Sequence, residues 1–429
     1  MKNTPIESTS EQGYNIEHMS PQPYKKSRRK TPMIIFGIII LALIIVSVWL
    51  VFFKNNKTSN NTSSSVKEQQ TDQASNQNKK RIRVIATGDF IPHDAINQEA
   101  KQADGSYEYT QMYGDMKKYF DNSDVKFCNQ AVLGGGTEFG ISGYPKFNSP
   151  TEFARDMAEL GCNVINTGSN HVNDFSQDVI SASVSAWDGL PGVKAVAGAN
   201  RSPEEMNKVR YFEVKGVKFA FVSYTTYTNE PSPNGYSVTM YSDSLAKQQL
   251  TEARQNADIV IASLRWGTEY STDVNTAQKN LAPKLANYGA DIILGHGPHV
   301  LEPVDKIKLD DGREAIVWYS LGNFLNAQLD PPSLFNGIAT MDIDPDSKKI
   351  QTTEYLPVYM HYEWTAQEKA QGDLMARHNF RMYTFEDGQE ALEKSQNNTT
   401  FEEQKARITQ TLNKLTQIKL ISKDEFLQS

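Results

Sequence analysis

The sequence of 429 residues is poor in cysteine and carries no excess of positive charge. Its 44 basic residues are outnumbered by 51 acidic residues, which gives a formal net charge of -7. This balance disfavours nonspecific attraction to nucleic acid, so we expect no nucleic-acid partner. The two cysteines, Cys128 and Cys162, each lie in an apolar run and outside any metal-binding spacing. We therefore predict two buried thiols and infer no disulfide framework.

Long apolar runs are also scarce, and the exception is residues 33–53, MIIFGIIILALIIVSVWLVFF, which carry no charge. As a helix this run measures about 31 Å, enough to cross a hydrocarbon core of about 30 Å. The preceding KKSRRK, Lys25–Lys30, favours a cytoplasmic tail at residues 1–32 and an extracellular remainder. A cleavable signal peptide is the rival, but bulky Trp49 and Phe53 follow instead of a small-residue cleavage site. We expect a single-pass cell-membrane protein.

Residues 54–80 are polar and rich in Ser, Thr, Asn and Gln, which predicts a flexible extracellular linker. From residue 81 the pattern changes to apolar runs that alternate with amphipathic stretches. We assign residues 81–335 to one domain and residues 336–429 to a C-terminal β and helical extension packed on it. No internal repeat of solenoid period interrupts this organisation.

Apolar strands separated by helical stretches predict parallel crossover units. The clearest strands are RIRVIATGDF, VKFCNQAV, CNVINTGSNH, DIVIASLRWG and DIILGH. Two hairpins, at Lys215-Gly216 and within residues 306–320, add antiparallel pairing. The sequence therefore predicts an α/β sandwich built on two mixed sheets.

Polar side chains follow the apolar strands at the point where each strand ends. They are Asp89, His93, Asn129, Gln130, Asn170, His171, Asp174, Arg265, Glu269, His296 and His299. A fold that gathers strand ends along one rim would bring these groups together. A mixed set of Asp, Asn and His suits a hard or borderline divalent ion, so Mn, Fe or Zn is the expected cofactor.

Each residue taken alone has a simpler interpretation. Asp89 could cap the following segment, Asn170 and His171 could bond the loop backbone, and Asn323 could be a turn residue. The motif GHGPH is more specific, because an apolar strand leads into a rigid Gly297-Pro298 turn flanked by two imidazoles. The co-occurrence of these groups at successive strand ends is what favours a site.

The motifs GDFIPH, FCNQAVLGGG, NTGSNHVNDF, LRWGTEY, GADIILGHGPHVLEPV and YSLGNF occur in the order of the CapA/PgsA family. The chain resembles this family of bacterial capsule and poly-γ-glutamate synthesis over residues 82–330. The resemblance implies a four-layer α/β/β/α sandwich like that of the metallophosphoesterases. It also implies Asp89, Asn170, His296 and His299 as metal ligands, with His171 as catalytic acid or substrate contact.

Two positions depart from the family pattern. Ala131 stands where the family has glutamate after Asn129 and Gln130, and a methyl group cannot ligate a metal. Arg265 stands where the family's His-Trp-Gly has histidine, and guanidinium presents only donors and stays charged. We therefore hypothesise that Arg265 binds an acidic substrate. Asn129, Glu269 and Asn323 complete the expected substrate-binding set.

Three functions remain open at this point. The preferred one is a membrane-anchored capsule protein that binds or guides an anionic polymer such as poly-γ-glutamate. The second is an active metal-dependent hydrolase, a phosphoesterase or amide hydrolase, in which His171 assists the leaving group. The third is a non-catalytic scaffold for membrane synthase subunits.

Overall fold

Strands and helices alternate from Ile82 onward, as the apolar pattern predicts. The computed structural model describes residues 81–429. The predicted tail, transmembrane helix and linker at residues 1–80 lie outside the described residues. Among residues 81–429, no helix combines the length and apolarity needed to cross a membrane.

Within residues 81–429, fifteen strands build two sheets. They are β1 Ile82–Phe90, β2 Val125–Gln130, β3 Val164–Asn166, β4 Ala195–Ala197, β5 Arg210–Val214, β6 Val217–Thr225, β7 Ile259–Arg265, β8 Ile292–His296, β9 Val304–Lys308, β10 Glu314–Trp318, β11 Asn323–Leu325, β12 Phe335–Asp344, β13 Lys349–Glu363, β14 His378–Thr384 and β15 Lys419–Leu420.

Twelve α-helices are present in residues 81–429. They are α1 Asp94–Ala100, α2 Lys117–Asp121, α3 Glu152–Leu160, α4 Gln177–Ser185, α5 Pro203–Asn207, α6 Asp243–Asn256, α7 Thr276–Tyr288, α8 Pro331–Leu334, α9 Ala366–Gln371, α10 Gln389–Lys394, α11 Phe401–Leu412 and α12 Lys423–Gln428. Short 3₁₀ helices cover Thr110–Met116, Thr137–Phe139, Val172–Asp174 and Leu374–Ala376.

The first sheet has the strand order β14-β13-β12-β1-β2-β3-β4, with β11 beside β1 and β15 beside β13. Its strands β1 to β4 are parallel, whereas β12 to β14 run antiparallel. The second sheet has the order β5-β6-β7-β8-β10-β9, with a parallel centre and antiparallel edges. Both sheets are therefore mixed, and both predicted hairpins are present.

Side chains from the two sheets share the main hydrophobic core. Phe127 of β2 contacts Phe221 of β6, and Trp318 of β10 stacks on Tyr355 of β13. A second cluster fills the opposite face of the second sheet, where α6 and α7 pack. Each fully buried large apolar side chain contributes about 1.5–3 kcal/mol. β1 is buried along its whole length, so its polar residues Arg83, Thr87 and Asp89 are buried together with its apolar ones.

The chain after residue 335 continues the first sheet. β12 lies antiparallel to β1, with Ile82 opposite Ile343 and Thr87 opposite Ile338. Arg83 of β1 donates from Nε to Asp342 of β12 at 2.9 Å, in a fully buried ion pair. This antiparallel neighbour holds β1 in the middle of the sheet, with its carboxyl end beside that of β2.

The prediction of two buried thiols is wrong, because Cys128 and Cys162 form a disulfide. Cys128 lies in β2 and Cys162 lies two residues before β3, the parallel neighbour of β2. Their Cα atoms are 5.8 Å apart, within bridging range. The sequence separation of 34 residues hides this proximity, because the intervening chain forms a loop and α3 before it returns to the sheet.

Candidate functional site

The carboxyl ends of strands from both sheets meet at a cavity of about 310 Å³. That volume falls in the range of small-ligand pockets, about 300–1,000 Å³. The lining residues are Asp89, Ile91, His93, Asn129, Ala131, Val132, Tyr144, Phe147, Ser169, Asn170, His171, Asn229, Arg265, Glu269, Tyr270, His299 and Gln328. Seven of the nine residues predicted for the site lie in this wall, and His296 and Asn323 lie behind it.

Asp89, near the end of β1, lies at the bottom of one wall of the cavity. Asn129 of β2 donates from Nδ2 to Asp89 Oδ1 at 2.6 Å. Asn166 of β3 in turn donates to Asn129 Oδ1 at 2.7 Å. The carbonyl oxygen of Gly322 accepts from the Asp89 backbone at 2.9 Å. The carboxylate therefore has a fixed position, set by side chains from three adjacent strands.

The two histidines of the GHGPH turn have different environments. His299 Nδ1 lies 2.8 Å from Asp89 Oδ2 and 3.1 Å from Asn323 Oδ1, so it faces the cavity. The Asp89 contact is at ion-pair distance but is not aligned as a hydrogen bond, and Asp89 Oδ2 lacks a hydrogen-bond partner within residues 81–429. His299 adopts a left-handed backbone, φ 62°, which is costly for a non-glycine residue.

His296, at the end of β8, is fully buried behind this wall. Its ring stacks on Phe127 with centroids 5.3 Å apart, and Nε2 lies 3.0 Å from Ser263 Oγ. Nδ1 points towards Asp89 Oδ1 at 3.9 Å and finds no hydrogen-bond partner among the described residues. Burial lowers the pKa of His296 to about 4, so the imidazole is neutral at physiological pH.

The charge of Asp89 is preserved despite its burial. Burial alone would raise the pKa of this carboxyl, but the contact with His299 and the positive charge of Arg265 outweigh that effect. The pKa of Asp89 is therefore below its ordinary value, and the group is a carboxylate at neutral pH.

Arg265, at the end of β7, lies at the bottom of the opposite wall of the cavity. Its Nε donates to Asn170 Oδ1 at 2.9 Å, and its Nη2 donates to Glu269 Oε1 at 3.0 Å. The guanidinium lies over the ring of Tyr227, 4.8 Å from the centroid. Nη1 donates a longer bond, 3.3 Å, to the Trp266 carbonyl oxygen. Arg265 is thus a buried, preorganised cation at the cavity wall.

His171 is held at the cavity wall by a second carboxylate. Its Nδ1 lies 2.7 Å from Asp174 Oδ2, and the backbone of Phe147 donates to the same oxygen at 2.9 Å. The Phe147 ring packs edge-on against His171, with centroids 4.8 Å apart. Such a pair fixes the orientation of an imidazole, as a general acid or base requires.

Sequence reasoning missed the aromatic and amide part of the wall. Tyr144 and Tyr270 line the cavity, and Asn229 and Gln328 lie among them. Tyr227 lies against the Arg265 guanidinium. Tyr227 follows the end of β6 by two residues, so the strand-end rule could have found it. Tyr270 has a left-handed backbone, φ 61°, which no sequence motif indicates.

The side chains as arranged do not fit a two-metal centre. Asn170 Oδ1, the ligand atom that the family resemblance assigns to a second metal, is occupied by Arg265 Nε. A guanidinium beside that position repels a cation, and Ala131 supplies no donor atom. Within residues 81–429, no group of three or more His, Cys, Asp or Glu side chains is arranged to hold a metal ion.

Solved structures with a similar fold outline include a phosphatase of Mycoplasma pneumoniae and a 5'-nucleotidase of Candida albicans. The first is 14% identical, with a TM-score of 0.41, over 65% of this chain and 93% of that one. The second is 11% identical, with a TM-score of 0.35, over 64% of this chain and 51% of that one. At these TM-scores the likeness carries no conclusion about activity.

Two relatives share sequence with the chain. PGA biosynthesis protein CapA of Bacillus subtilis (strain 168) is 28% identical over 177 residues, 41% of this chain and 45% of the relative. Capsule biosynthesis protein CapA of Bacillus anthracis is 25% identical over 271 residues, 58% of this chain and 61% of the relative. The chain thus spans about half to three fifths of the length of these relatives.

The family resemblance drawn from the strand-end motifs is confirmed. The model of the bacterial capsule synthesis protein PGA_cap family matches residues 83–328, more than half of the chain. This range contains every residue that lines the cavity. The chain belongs to the bacterial capsule synthesis protein PGA_cap family.

Proposed function

We propose that the protein binds a carboxylate-bearing capsule polymer in the cavity and assists its assembly or export at the outer face of the membrane. Poly-γ-glutamate is the candidate polymer, since one relative is named for PGA biosynthesis. Residues 33–53 would anchor the domain, and membrane synthase subunits would be its partners. We also propose that the two sheets and their flanking helices form a four-layer α/β/β/α sandwich like that of the metallophosphoesterases.

The observation that carries this proposal is the position of Arg265. Its guanidinium is almost fully buried, yet it lines the cavity. Asn170 and Tyr227 fix its orientation, so little entropy is lost when a ligand binds. A planar guanidinium pairs with carboxylates through charge-assisted hydrogen bonds, which are about twice as strong as neutral ones.

The extracellular location has separate support in the disulfide between Cys128 and Cys162. Disulfides persist in oxidising compartments and are rare in the cytosol, where thiols are kept reduced. The basic KKSRRK segment before residues 33–53 favours the same orientation.

A hydrolase is the second candidate, favoured by the His171–Asp174 pair. Asp174 fixes one nitrogen of His171, and an imidazole held in this way can transfer a proton to a leaving group. Against this candidate, Ala131 and Arg265 replace groups that a metal-dependent hydrolase of the family would use. We therefore place recognition before hydrolysis.

The test is equilibrium binding of glutamate oligomers to the full-length protein and to Arg265→Ala. Losing charge-assisted bonds of about 1.5–3 kcal/mol should weaken binding about 10- to 100-fold. Arg313→Ala is the matched control, because this half-buried arginine pairs with Asp311 outside the cavity. Equal affinity of Arg265→Ala and the wild type would refute the proposal. Turnover of a phosphodiester or peptide that His171→Ala abolishes would favour the hydrolase.

A further inference from the structure

The Arg265–Glu269 ion pair is unequal in its exposure to water. The Arg265 side chain is 3% exposed and the Glu269 side chain is 42% exposed. Arg265 is also tied to Asn170 and packed on Tyr227, whereas Glu269 lies in the loop between β7 and α7. Of the two partners, Glu269 is therefore the one that can leave.

Two hydrogen bonds hold Glu269 beside Arg265. Its Oε1 accepts from Arg265 Nη2 at 3.0 Å and from the Tyr227 hydroxyl at a longer 3.4 Å. Because the Glu269 side chain is 42% exposed, water and salt compete with Arg265 for its carboxylate. A carboxylate arriving from the ligand could replace Glu269 with a small loss, because the new ion pair restores the same kind of bond.

We propose that Glu269 occupies the place of the ligand's carboxylate on Arg265 and thereby determines specificity. This inference rests on the proposed binding function and names the group that the site selects. A ligand with a carboxylate displaces Glu269 and restores the charge pair. A neutral ligand leaves Glu269 in place, since removing it would leave the buried Arg265 unpaired.

Removal of the competing carboxylate should raise the affinity of the site for an acidic ligand. In Glu269→Gln the amide is a weaker partner for Arg265, so a ligand carboxylate meets less competition. In Tyr227→Phe the ring still lies against Arg265, but the hydroxyl bond to Glu269 is lost. Both variants should bind the acidic ligand more tightly, and Glu269→Gln should show the larger effect.

Isothermal titration of the full-length protein tests this, with a glutamate oligomer, the corresponding glutamine oligomer and inorganic phosphate as the three probes. Glu230→Gln controls for a general change in charge. Glu230 is 39% exposed, pairs with Lys146 at 2.7 Å and adjoins Asn229 of the cavity wall. Its removal therefore changes the charge beside the cavity without touching Arg265. Thermal unfolding of each variant verifies that the fold is retained.

The expected result is a 3- to 10-fold gain in affinity for the glutamate oligomer in Glu269→Gln, with a smaller gain in Tyr227→Phe. Glu230→Gln should bind as the wild type does, and the glutamine oligomer should bind weakly throughout. If Arg265→Ala loses affinity but Glu269→Gln binds the glutamate oligomer no more tightly than the wild type, the inference is overturned and the proposed function stands. An equal gain in Glu230→Gln, or phosphate binding as tight as that of the oligomer, would overturn it too. If Arg265→Ala binds like the wild type, the proposed function itself fails.

Discussion

Gly297 of the GHGPH turn packs directly against the Arg265 guanidinium, so a side chain at this position would collide with it. Its φ of +114° lies in the region that disfavours side chains, and a Cβ there would be 1.7 Å from Arg265 Nη1. The Trp266 carbonyl oxygen would be 2.7 Å away, and backbone cannot withdraw as a flexible side chain can. We predict that Gly297→Ala destabilises the protein and displaces the guanidinium.

The expected loss of stability in Gly297→Ala has two contributions, backbone strain and steric overlap, and a comparison with Gly312→Ala separates them. A non-glycine residue in a disfavoured left-handed conformation costs about 1–3 kcal/mol. Overpacking a filled site costs a further amount of about 1–3 kcal/mol. Gly312 has a φ of +84°, but its Cβ would meet no atom of the described residues within 4 Å. Gly312→Ala should therefore lose about 1–3 kcal/mol and Gly297→Ala about 2–6 kcal/mol.

Urea unfolding of the two full-length variants, followed by tryptophan fluorescence, measures this difference. Trp266 adjoins Arg265 and contributes to the signal from the site. Titration with a glutamate oligomer then reports whether Arg265 keeps its position, and we expect weaker binding in Gly297→Ala alone. Equal stability of the two variants would refute the collision. Wild-type affinity in Gly297→Ala would contradict the prediction that binding depends on the observed position of the guanidinium.

Two further predictions concern stability. Replacing Cys128 and Cys162 by alanine should lower the free energy of unfolding by about 2–4 kcal/mol, because the cross-link restricts the unfolded chain. A reductant should bring the wild type to the stability of this variant and leave the variant itself unchanged, as urea unfolding would show. Burial raises the pKa of Glu302 to about 8, so the folded state holds a proton that the unfolded state releases near pH 4. Stability contributed by this group is therefore present at acidic pH and falls as pH rises towards 8. Glu302→Gln keeps an acceptor for Gln278 and removes the titration, so at pH 8 it should be about 1–3 kcal/mol more stable than the wild type. Equal pH profiles of unfolding for both proteins would contradict this assignment.

Strand ends were the most informative feature of the sequence. β7 and β8 are buried, largely apolar runs that end in Arg265 and His296, and Asp89 is the next-to-last residue of the buried β1. Parallel strands present their carboxyl ends at one edge, so a shared site follows from the pattern alone. That reasoning depends on local composition, which a single sequence contains.

Features that depend on distant pairing were beyond the sequence. β12 lies beside β1 although more than 240 residues separate them, and no local signal encodes such a partner. The Cys128–Cys162 disulfide escaped prediction for the same reason. His296 and His299 look equivalent in GHGPH, but the left-handed backbone at His299 turns one imidazole to the cavity while burial encloses the other. These differences arise from tertiary packing.

The substitution at Arg265 changes what the cavity can do without removing positive charge from it. A divalent ion at Asn170 could activate water and leave its site, whereas a guanidinium covalently fixed to β7 can do neither. It can still hold an anionic group, because its donors are oriented by Asn170 and Tyr227. Chemistry that needs two cations is therefore disfavoured, while carboxylate recognition retains its electrostatic basis.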